Sequence, residues 1–298
     1  MRRIYNLILK LLKFHLLQID KKLKSRVRET WLKVFILKRY DSRDRSANIV
    51  GFEVKFLDYA NLSYLYTEIF LKNDYYFTTE NDNPYIIDCG SNIGMSVLYF
   101  KMLYPKSRIS AFEPWEEAFI CLEKNVKNNN LLNSVTVHKA ALSNSKGTVD
   151  FYCDPDNLGS LTMSTKQERM PKQKRSVEAS ILSEHINEEV DFLKIDIEGA
   201  ELEVIEELSN AGKLRHVKQM AIEYHHHVMN ESDVFSRMLS VLEDAGFGYQ
   251  IESRLGRPLK RKLFQDILVY AYRKEAPIIA PQPTSERVQF IAASESDG

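Results

Sequence analysis

Pro84-Tyr-Ile-Ile-Asp-Cys-Gly-Ser-Asn-Ile-Gly94 decides the fold. Tyr85, Ile86 and Ile87 are aromatic or β-branched and run directly into Asp88, the pattern of a short strand buried in a parallel sheet. Gly90 and Gly94 bracket a tight turn. Gly90 lets the backbone bend where a Cβ would clash, and it lets a ligand approach closely. Apolar residues then recur at helical spacing (Met95, Leu98, Tyr99, Met102, Leu103), so the turn opens a helix. A strand, a glycine turn and a helix N-terminus form the nucleotide-binding corner of a doubly wound α/β sheet.

The turn is not built for a dinucleotide. That site wants G-x-G-x-x-G, and here the residues are Gly90-Ser91-Asn92-Ile93-Gly94, with Asn92 where the second close-approach glycine would stand. Asp88 puts a carboxylate just before the turn. It is unfavourable beside a phosphate and favourable beside a cation or an ammonium group. S-adenosylmethionine offers both a sulfonium and an α-amino group. About 25 residues beyond Asp88, Ile109-Ser-Ala-Phe-Glu-Pro114 reads as a second strand ending in an acid, where Glu113 can bind ribose hydroxyls. Asp88 and Glu113 together favour S-adenosylmethionine over a nicotinamide cofactor.

The 298 residues suffice for one large domain with appendages, and the net charge of zero supplies no global field for a nucleic acid. Cys89, Cys121 and Cys153 are far apart and odd in number, so neither a disulfide framework nor a C-x-x-C site is present. Cys89 abuts the turn and reads as a small buried residue rather than a catalytic thiol.

Four segments follow from composition. Residues 1–48 read as a basic amphipathic helical extension. Within residues 1–40 there are 12 Lys or Arg against the acids Asp20 and Glu29. Lys10 and Lys13 interrupt the apolar run, so it neither spans a membrane nor makes a secretory signal. It either caps the domain or another subunit, or makes peripheral contact with an anionic membrane. The expected location is the cytoplasm, with the inner face of a membrane within reach. Residues 49–84 read as a lead-in subdomain, with a strand over Val50–Phe56 and a helix over Asn61–Lys72. Residues 85–274 form the main domain. Residues 275–298, with Pro277, Pro281 and Pro283, read as a disordered tail.

Within the main domain, Val135–His138 reads as the third strand. The loop after it, containing Ala141, is placed where an adenine would lie. Asp154 to Lys174 is polar and reads as a loop or lid. Val190-Asp-Phe-Leu-Lys-Ile-Asp-Ile-Glu-Gly-Ala-Glu201 is a buried strand with Asp196, Glu198 and Glu201 at its carboxyl end, the end where open sheets bind ligands. The next strand closes on Glu223-Tyr224-His225-His226-His227. Side chains alternate along extended chain. Either Glu223, His225 and His227 share the side of Asp196, or His226 alone meets it. A neutral imidazole or a carboxylate there can accept a proton from an alcohol. A divalent metal is not expected, although Asp196, Glu198 and His226 could hold one. Two terminal strands, Tyr249–Arg254 and Asp266–Arg273, complete a mostly parallel seven-stranded sheet.

Asp88-Cys-Gly-Ser-Asn-Ile-Gly94, Ala111-Phe-Glu-Pro114 and above all Lys194-Ile-Asp-Ile-Glu-Gly-Ala-Glu201 resemble the FkbM-type methyltransferases. The resemblance covers about Tyr85 to Arg273. It implies a class I, Rossmann-like, S-adenosylmethionine-dependent fold that methylates oxygen on sugars, glycolipids, polyketides or other small molecules. Carried over, Asp88, Gly90, Ser91, Asn92 and Gly94 shape the cofactor pocket, Glu113 holds the ribose, and Asp196 lies beside the methyl donor. The family also has a small-residue segment similar to Asn157–Leu161, which would touch substrate. The base is sought among Asp196, Glu223, His225 and His226. The competing readings are a non-catalytic binding protein on the same fold and a nicotinamide-dependent oxidoreductase, which lacks its G-x-G-x-x-G turn here. A nucleic-acid methyltransferase would call for an Asn/Asp-Pro-Pro-aromatic motif, and Asp196-Ile-Glu-Gly is not one.

Overall fold

The computed structural model describes residues 21–153, 164–166, 173–226, 234–253 and 265–274. The chain enters through helix α1 (Lys21–Thr30), which continues as a wide π-type turn over Trp31–Ile36. Leu23, Val27 and Val34 are buried on one side of this unit, and the Tyr66 hydroxyl donates to Val27 O at 2.6 Å. The expected single strand over Val50–Phe56 is instead a hairpin, β1 (Ser46–Ile49) against β2 (Phe52–Lys55). Val50 (φ 54°) and Gly51 (φ 95°) form its two-residue turn, which needs positive φ at both positions. The alternating apolar pattern concealed that turn, because a β-branched residue seldom adopts positive φ. Tertiary contacts over-determine Val50: its side chain is buried, and its N–H donates to Thr30 Oγ1 at 3.1 Å.

Helix α2 (Tyr59–Tyr66) starts at Asp58, whose carboxylate accepts from the N–H groups of Ala60 and Asn61 at 2.7 and 3.2 Å. A second π-type segment, Thr67–Lys72, ends at Asn73 in the left-handed region (φ 61°). It delivers Tyr75 and Phe77 under the main sheet.

That sheet is assembled from β3 (Tyr85–Cys89), α3 (Met95–Leu103), β4 (Arg108–Phe112), α4 (Glu116–Asn128) and β5 (Val135–His138). A smaller sheet follows, made of β6 (Ala141–Leu142), β7 (Gly147–Cys153) and β8 (Gln173–Ser180) in the order β6-β8-β7. The chain returns through β9 (Val190–Ile195), α5 (Glu201–Asn210), β10 (Val217–His226), α6 (Phe235–Asp244), β11 (Phe247–Ser253) and β12 (Gln265–Arg273). The seven strands lie in the order β11-β12-β10-β9-β3-β4-β5. Every pair from β10 to β5 is parallel, and β12 pairs antiparallel with both β10 and β11.

The topological switch point falls between β3 and β9, since β3 is followed on one side by β4 and joined on the other by β9. In open sheets of this kind the ligand crevice lies at that point, outside the carboxyl ends of the strands. One core, including Phe70, Phe100, Leu122 and Phe192, covers one face of the sheet, and a second, including Leu193, Val204, Ile222 and Met238, covers the other. Residues 154–163 and 167–172, most of the expected lid, lie outside the described residues, as do residues 1–20 and the proline-containing tail. The end of that expected loop belongs to β8, paired with β7 from Cys153↔Gln173 to Gly147↔Ala179. No helix among the described residues is long and apolar enough to cross a membrane.

Candidate active site

The turn after β3 is held by the backbone of its neighbours. Gly90 N and Ser91 N both donate to Phe112 O, at 3.0 and 2.9 Å, and Gly94 N donates to Ser91 O at 2.8 Å. Gly90, Asn92 and Gly94 all have positive φ (84°, 49° and 88°). A Cβ on Gly90 would lie 1.8 Å from the Asp196 carbonyl oxygen. The glycine is therefore required by the close approach of the loop after β9 more than by a ligand. Asp196 N donates to Cys89 O at 3.1 Å, so the two loops are stitched together.

Asp88 does not face the crevice. It is fully buried and accepts from the Ser96 hydroxyl on one oxygen, while the other lies 3.2 Å from Lys194 Nζ. Lys194, only 2% exposed, also donates to Cys89 O and Gly90 O at 3.2 and 2.9 Å and lies 3.5 Å from Asp196 Oδ2. Burial opposes its charge, but Asp88 and Asp196 outweigh burial and hold its pKa above the ordinary lysine value. The ammonium sought beside Asp88 is thus the chain's own. A lysine inside the apolar run Phe192–Ile195 was the sequence signal for it, since a buried lysine must be paired.

Glu113 ends β4. Its two oxygens accept from the N–H groups of Asn92 and Trp115, both at 2.8 Å. Burial pushes its carboxyl up to about 7 against those two donors. Ser91 is buried, with its hydroxyl on Asp88 O at 3.0 Å, and Asn92 is half-buried. Ala141 is not in a loop. It pairs with Ala179 in the smaller sheet, buried at 3% exposure. Cys89 is fully buried, and burial raises its thiol pKa well above the usual value. Asp191, at the far end of β9, accepts from Tyr85 N and from the Asn81 amide, both at 2.9 Å, and belongs to the framework.

The carboxyl ends of β9 and β10 and the start of β12 bring four acids around one histidine. His225 Nδ1 pairs with Glu201 Oε1 at 2.8 Å. Its Nε2 lies 3.2 Å from Glu198 Oε2, 3.9 Å from Asp196 Oδ1 and 4.0 Å from Asp266 Oδ1. Glu198 reaches this position through a left-handed turn (φ 55°) followed by Gly199, whose N–H donates to Glu201 Oε1 at 2.8 Å. Burial disfavours the charged ring, but Glu198, Glu201 and Asp196 override it and raise the pKa well above 6.5. The acids around it therefore favour the protonated ring.

His226 points the other way. It shares the opposite side of β10 with Tyr224, and its ring lies 5.9 Å from that of Tyr224 and 6.3 Å from that of Phe235 on α6. The parity therefore places Glu223 and His225, not His226, beside Asp196, and His227 lies outside the described residues. The ligand-type atoms of Asp196, Glu198 and His225, rather than of His226, fall within 4.8 Å of one another. So do those of Glu223, His225 and Asp266.

Tyr75 completes the cluster. Its hydroxyl lies 3.0 Å from both Asp196 Oδ2 and Glu223 Oε2. One hydroxyl donates one proton, so the two carboxyls cannot both be charged acceptors from it. Burial, then Asp196, pushes the Glu223 carboxyl up to about 8. Glu223 is accordingly the protonated partner, donating to the Tyr75 oxygen while Tyr75 donates to Asp196. Tyr75 itself is held well above 10, first by burial. Tyr64, 47% exposed on α2, stands close enough to Glu223, Asp266 and Asp196 to feel their charge.

The methyltransferase FkbM domain model matches residues 88–249. "Methyltransferase sdnD" from Sordaria araneosa is 30% identical over 215 residues, which cover 62% of this chain and 81% of that protein. "Methyltransferase 1" from Beauveria bassiana (strain ARSEF 2860) is 26% identical over 227 residues, covering 68% and 88%. Among solved structures, the methyltransferase FkbM from Methylobacillus flagellatus KT matches with a TM-score of 0.44 and 19% identity over 73% of this chain. The match spans little more than half, 56%, of that structure. With more than half of its length matched by the domain model, centred on the crevice just described, the chain belongs to the FkbM methyltransferase domain family.

Proposed function

We propose that the crevice at the switch point binds S-adenosylmethionine and that the chain directs its methyl group to a hydroxyl of a sugar, glycolipid or similar small-molecule acceptor. The fit rests on the donor set. Glu113 stands at the strand end suited to ribose hydroxyls, and Asp196 and Glu198 are partly exposed, at 24% and 17% of their side chains. Lys194 is buried and turned onto Asp88 and two carbonyls, so it offers nothing to a phosphate. Lys194 and His225 beside them are buried and already paired with acids of the chain, so the partly exposed carboxylates suit a ligand bearing positive charge and hydroxyls better than a pyrophosphate. When bound, S-adenosylmethionine supplies an activated methyl group on sulfur.

The observation that carries the acceptor chemistry is the sharing of one Tyr75 hydroxyl by Asp196 and Glu223. The Glu223 carboxyl is pushed up to about 8 and the acids around His225 favour its protonated ring, so neither is suited to take the proton from an alcohol. Asp196, held in place by Tyr75 and Lys194, is then the group that accepts the proton as the hydroxyl oxygen attacks. Glu223, His225 and Tyr75 position and balance it. Holding the reactants in line supplies most of the rate.

The test is calorimetric titration of the full chain with S-adenosylhomocysteine, followed by tritium transfer from S-adenosylmethionine to a panel of glycosides and glycolipids. The proposal expects micromolar binding, weakened at least tenfold by Glu113→Ala. Asp196→Asn should keep the binding and lose the transfer. Absence of saturable binding in folded protein would overturn the cofactor assignment. Full transfer by Asp196→Asn would overturn the base.

A further inference from the structure

We infer that the outward side of residues 31–39 is a docking surface for an anionic lipid bilayer. The backbone makes this surface. In the π-type turn Leu37 N donates to Leu32 O at 2.9 Å, a reach of five residues, and Arg39 N donates to Lys33 O at 2.9 Å. The wide turn stacks residues four and five apart, so Leu32, Ile36 and Leu37 gather on one side. They are 47%, 49% and 52% exposed. Such turns are rare and recur at functional sites. The opposite side is anchored: Val34 is 2% exposed, the Phe35 ring lies 4.6 Å from that of Tyr66, and the Tyr59 hydroxyl donates to Phe35 O at 3.0 Å. A rigid core-bound element thus presents three large aliphatic side chains outward.

Lys33, Lys38 and Arg39 are exposed beside those side chains, and Lys21 and Lys22 are exposed on the same helical unit one end further back. Lys33 is paired with Glu29. The charge of the chain is sharply divided. Residues 1–40 hold 12 Lys or Arg against 2 acids, and the remaining residues hold 29 against 39. An anionic surface would attract the first part and repel the rest, which fixes the orientation as well as the attachment.

Aliphatic side chains rimmed by cations match the boundary between acyl chains and anionic headgroups. A nucleic acid would use the cations and leave Leu32, Ile36 and Leu37 in water. A second copy of this face would bring like charges together.

The experiment is flotation of the full chain with vesicles of phosphatidylcholine alone and of phosphatidylcholine with 30% phosphatidylserine, at 0.1 and 0.5 M salt. Each lysine or arginine near such a surface strengthens partitioning about fivefold. The variant Lys33→Gln/Lys38→Gln/Arg39→Gln should therefore bind roughly a hundredfold more weakly. The variant Leu32→Ser/Ile36→Ser/Leu37→Ser should lose at least tenfold. All six positions are exposed, and the circular dichroism spectrum of each variant checks its folding. Binding confined to phosphatidylserine vesicles, weakened by salt and by both variants, supports the proposal. No flotation overturns it, as does binding unaffected by both variants, which would assign attachment to residues 1–20. Duplex or single-stranded nucleic-acid binding without flotation overturns it, and so does a dimer in sedimentation that the serine variant abolishes without vesicles.

Discussion

Gly90→Ala is the sharpest test of how the crevice is built. Two costs follow from the structure. At φ 84° an alanine is strained in the left-handed region, about 1–2 kcal/mol. Its Cβ would also lie 1.8 Å from the Asp196 carbonyl oxygen, where ordinary contact begins above 3.4 Å. Relief requires the loop after β9 to retreat by more than an ångström, which breaks the 3.1 Å bond from Asp196 N to Cys89 O and carries the Asp196 carboxylate away from Tyr75. Losing that buried bond adds about 1–3 kcal/mol. Gly212 supplies the control. Its φ is 67°, and a Cβ there meets nothing within 4 Å, so Gly212→Ala carries the backbone strain alone. For a chain of this size each kcal/mol lowers the melting temperature by about 2 °C. Gly212→Ala should lose about 2–4 °C and Gly90→Ala at least twice that, read by calorimetry on the full chain. S-adenosylhomocysteine affinity should fall for Gly90→Ala only. Equal losses at the two positions would refute the argument that the two loops need contact without a side chain.

The remaining expectations concern charge. Burial raises Glu223 to about 8 and Glu113 to about 7 from 4.5, so the folded chain retains protons that the unfolded chain releases. Their contribution to stability is full below about pH 4.5 and is lost as the pH rises through 7 to 8. Denaturant midpoints should therefore fall between pH 5.5 and 8.5, and Glu223→Gln should flatten that fall. An unchanged slope would remove Glu223 as the protonated partner. Lys194→Met leaves Asp88 fully buried with only the Ser96 hydroxyl, and should cost about 3–5 kcal/mol in denaturant unfolding. A loss below about 1 kcal/mol would show that Asp88 does not need the ammonium. His225→Gln should abolish methyl transfer and destabilise the fold, because it strips the cation from between Glu198 and Glu201. His226→Gln should leave transfer within about twofold, since its ring sits with Tyr224 and Phe235 on the other face. The reverse ranking in a tritium-transfer assay would restore the opposite parity.

The strand–turn–helix at Asp88 to Gly94 was readable because its determinants are local: an apolar strand, two glycines and a helical period within 20 residues. The end-of-strand acids Glu113 and Asp196 were readable for the same reason, each fixed by the strand it terminates. Other features depend on what lies across the fold. The period-2 pattern in β10 is intact, but which half of it faces Asp196 is set by the packing of Ala221 and Ile222 on opposite cores, and residue types alone leave the parity of His225 and His226 open. The hairpin at Val50 was hidden because burial, not local preference, holds a valine at positive φ. Tyr75 carried no local signal at all, for its partners are 121 and 148 residues away.

That separation explains why the lead-in segment cannot be an accessory to the site. Residues 59–77 are threaded beneath the sheet so that Tyr75 can divide one hydroxyl between two carboxyls, while its ring lies 5.0 Å from Lys194 Nζ. Asp88, Lys194, Asp196, Tyr75 and Glu223 then form one continuous chain of alternating charge and hydrogen bonding from the floor of the crevice to its mouth. In such a chain an opposite charge or a donor lies against each carboxyl, most loosely at Asp196 Oδ1, which is 3.9 Å from His225 Nε2. Under the proposed function the inner members are too well satisfied to react, and Asp196, the member that reaches solvent, is the proton acceptor. The arrangement favours a single proton acceptor supported by a scaffold over a set of interchangeable bases, and it makes the position of Asp196 depend on segments from both halves of the chain.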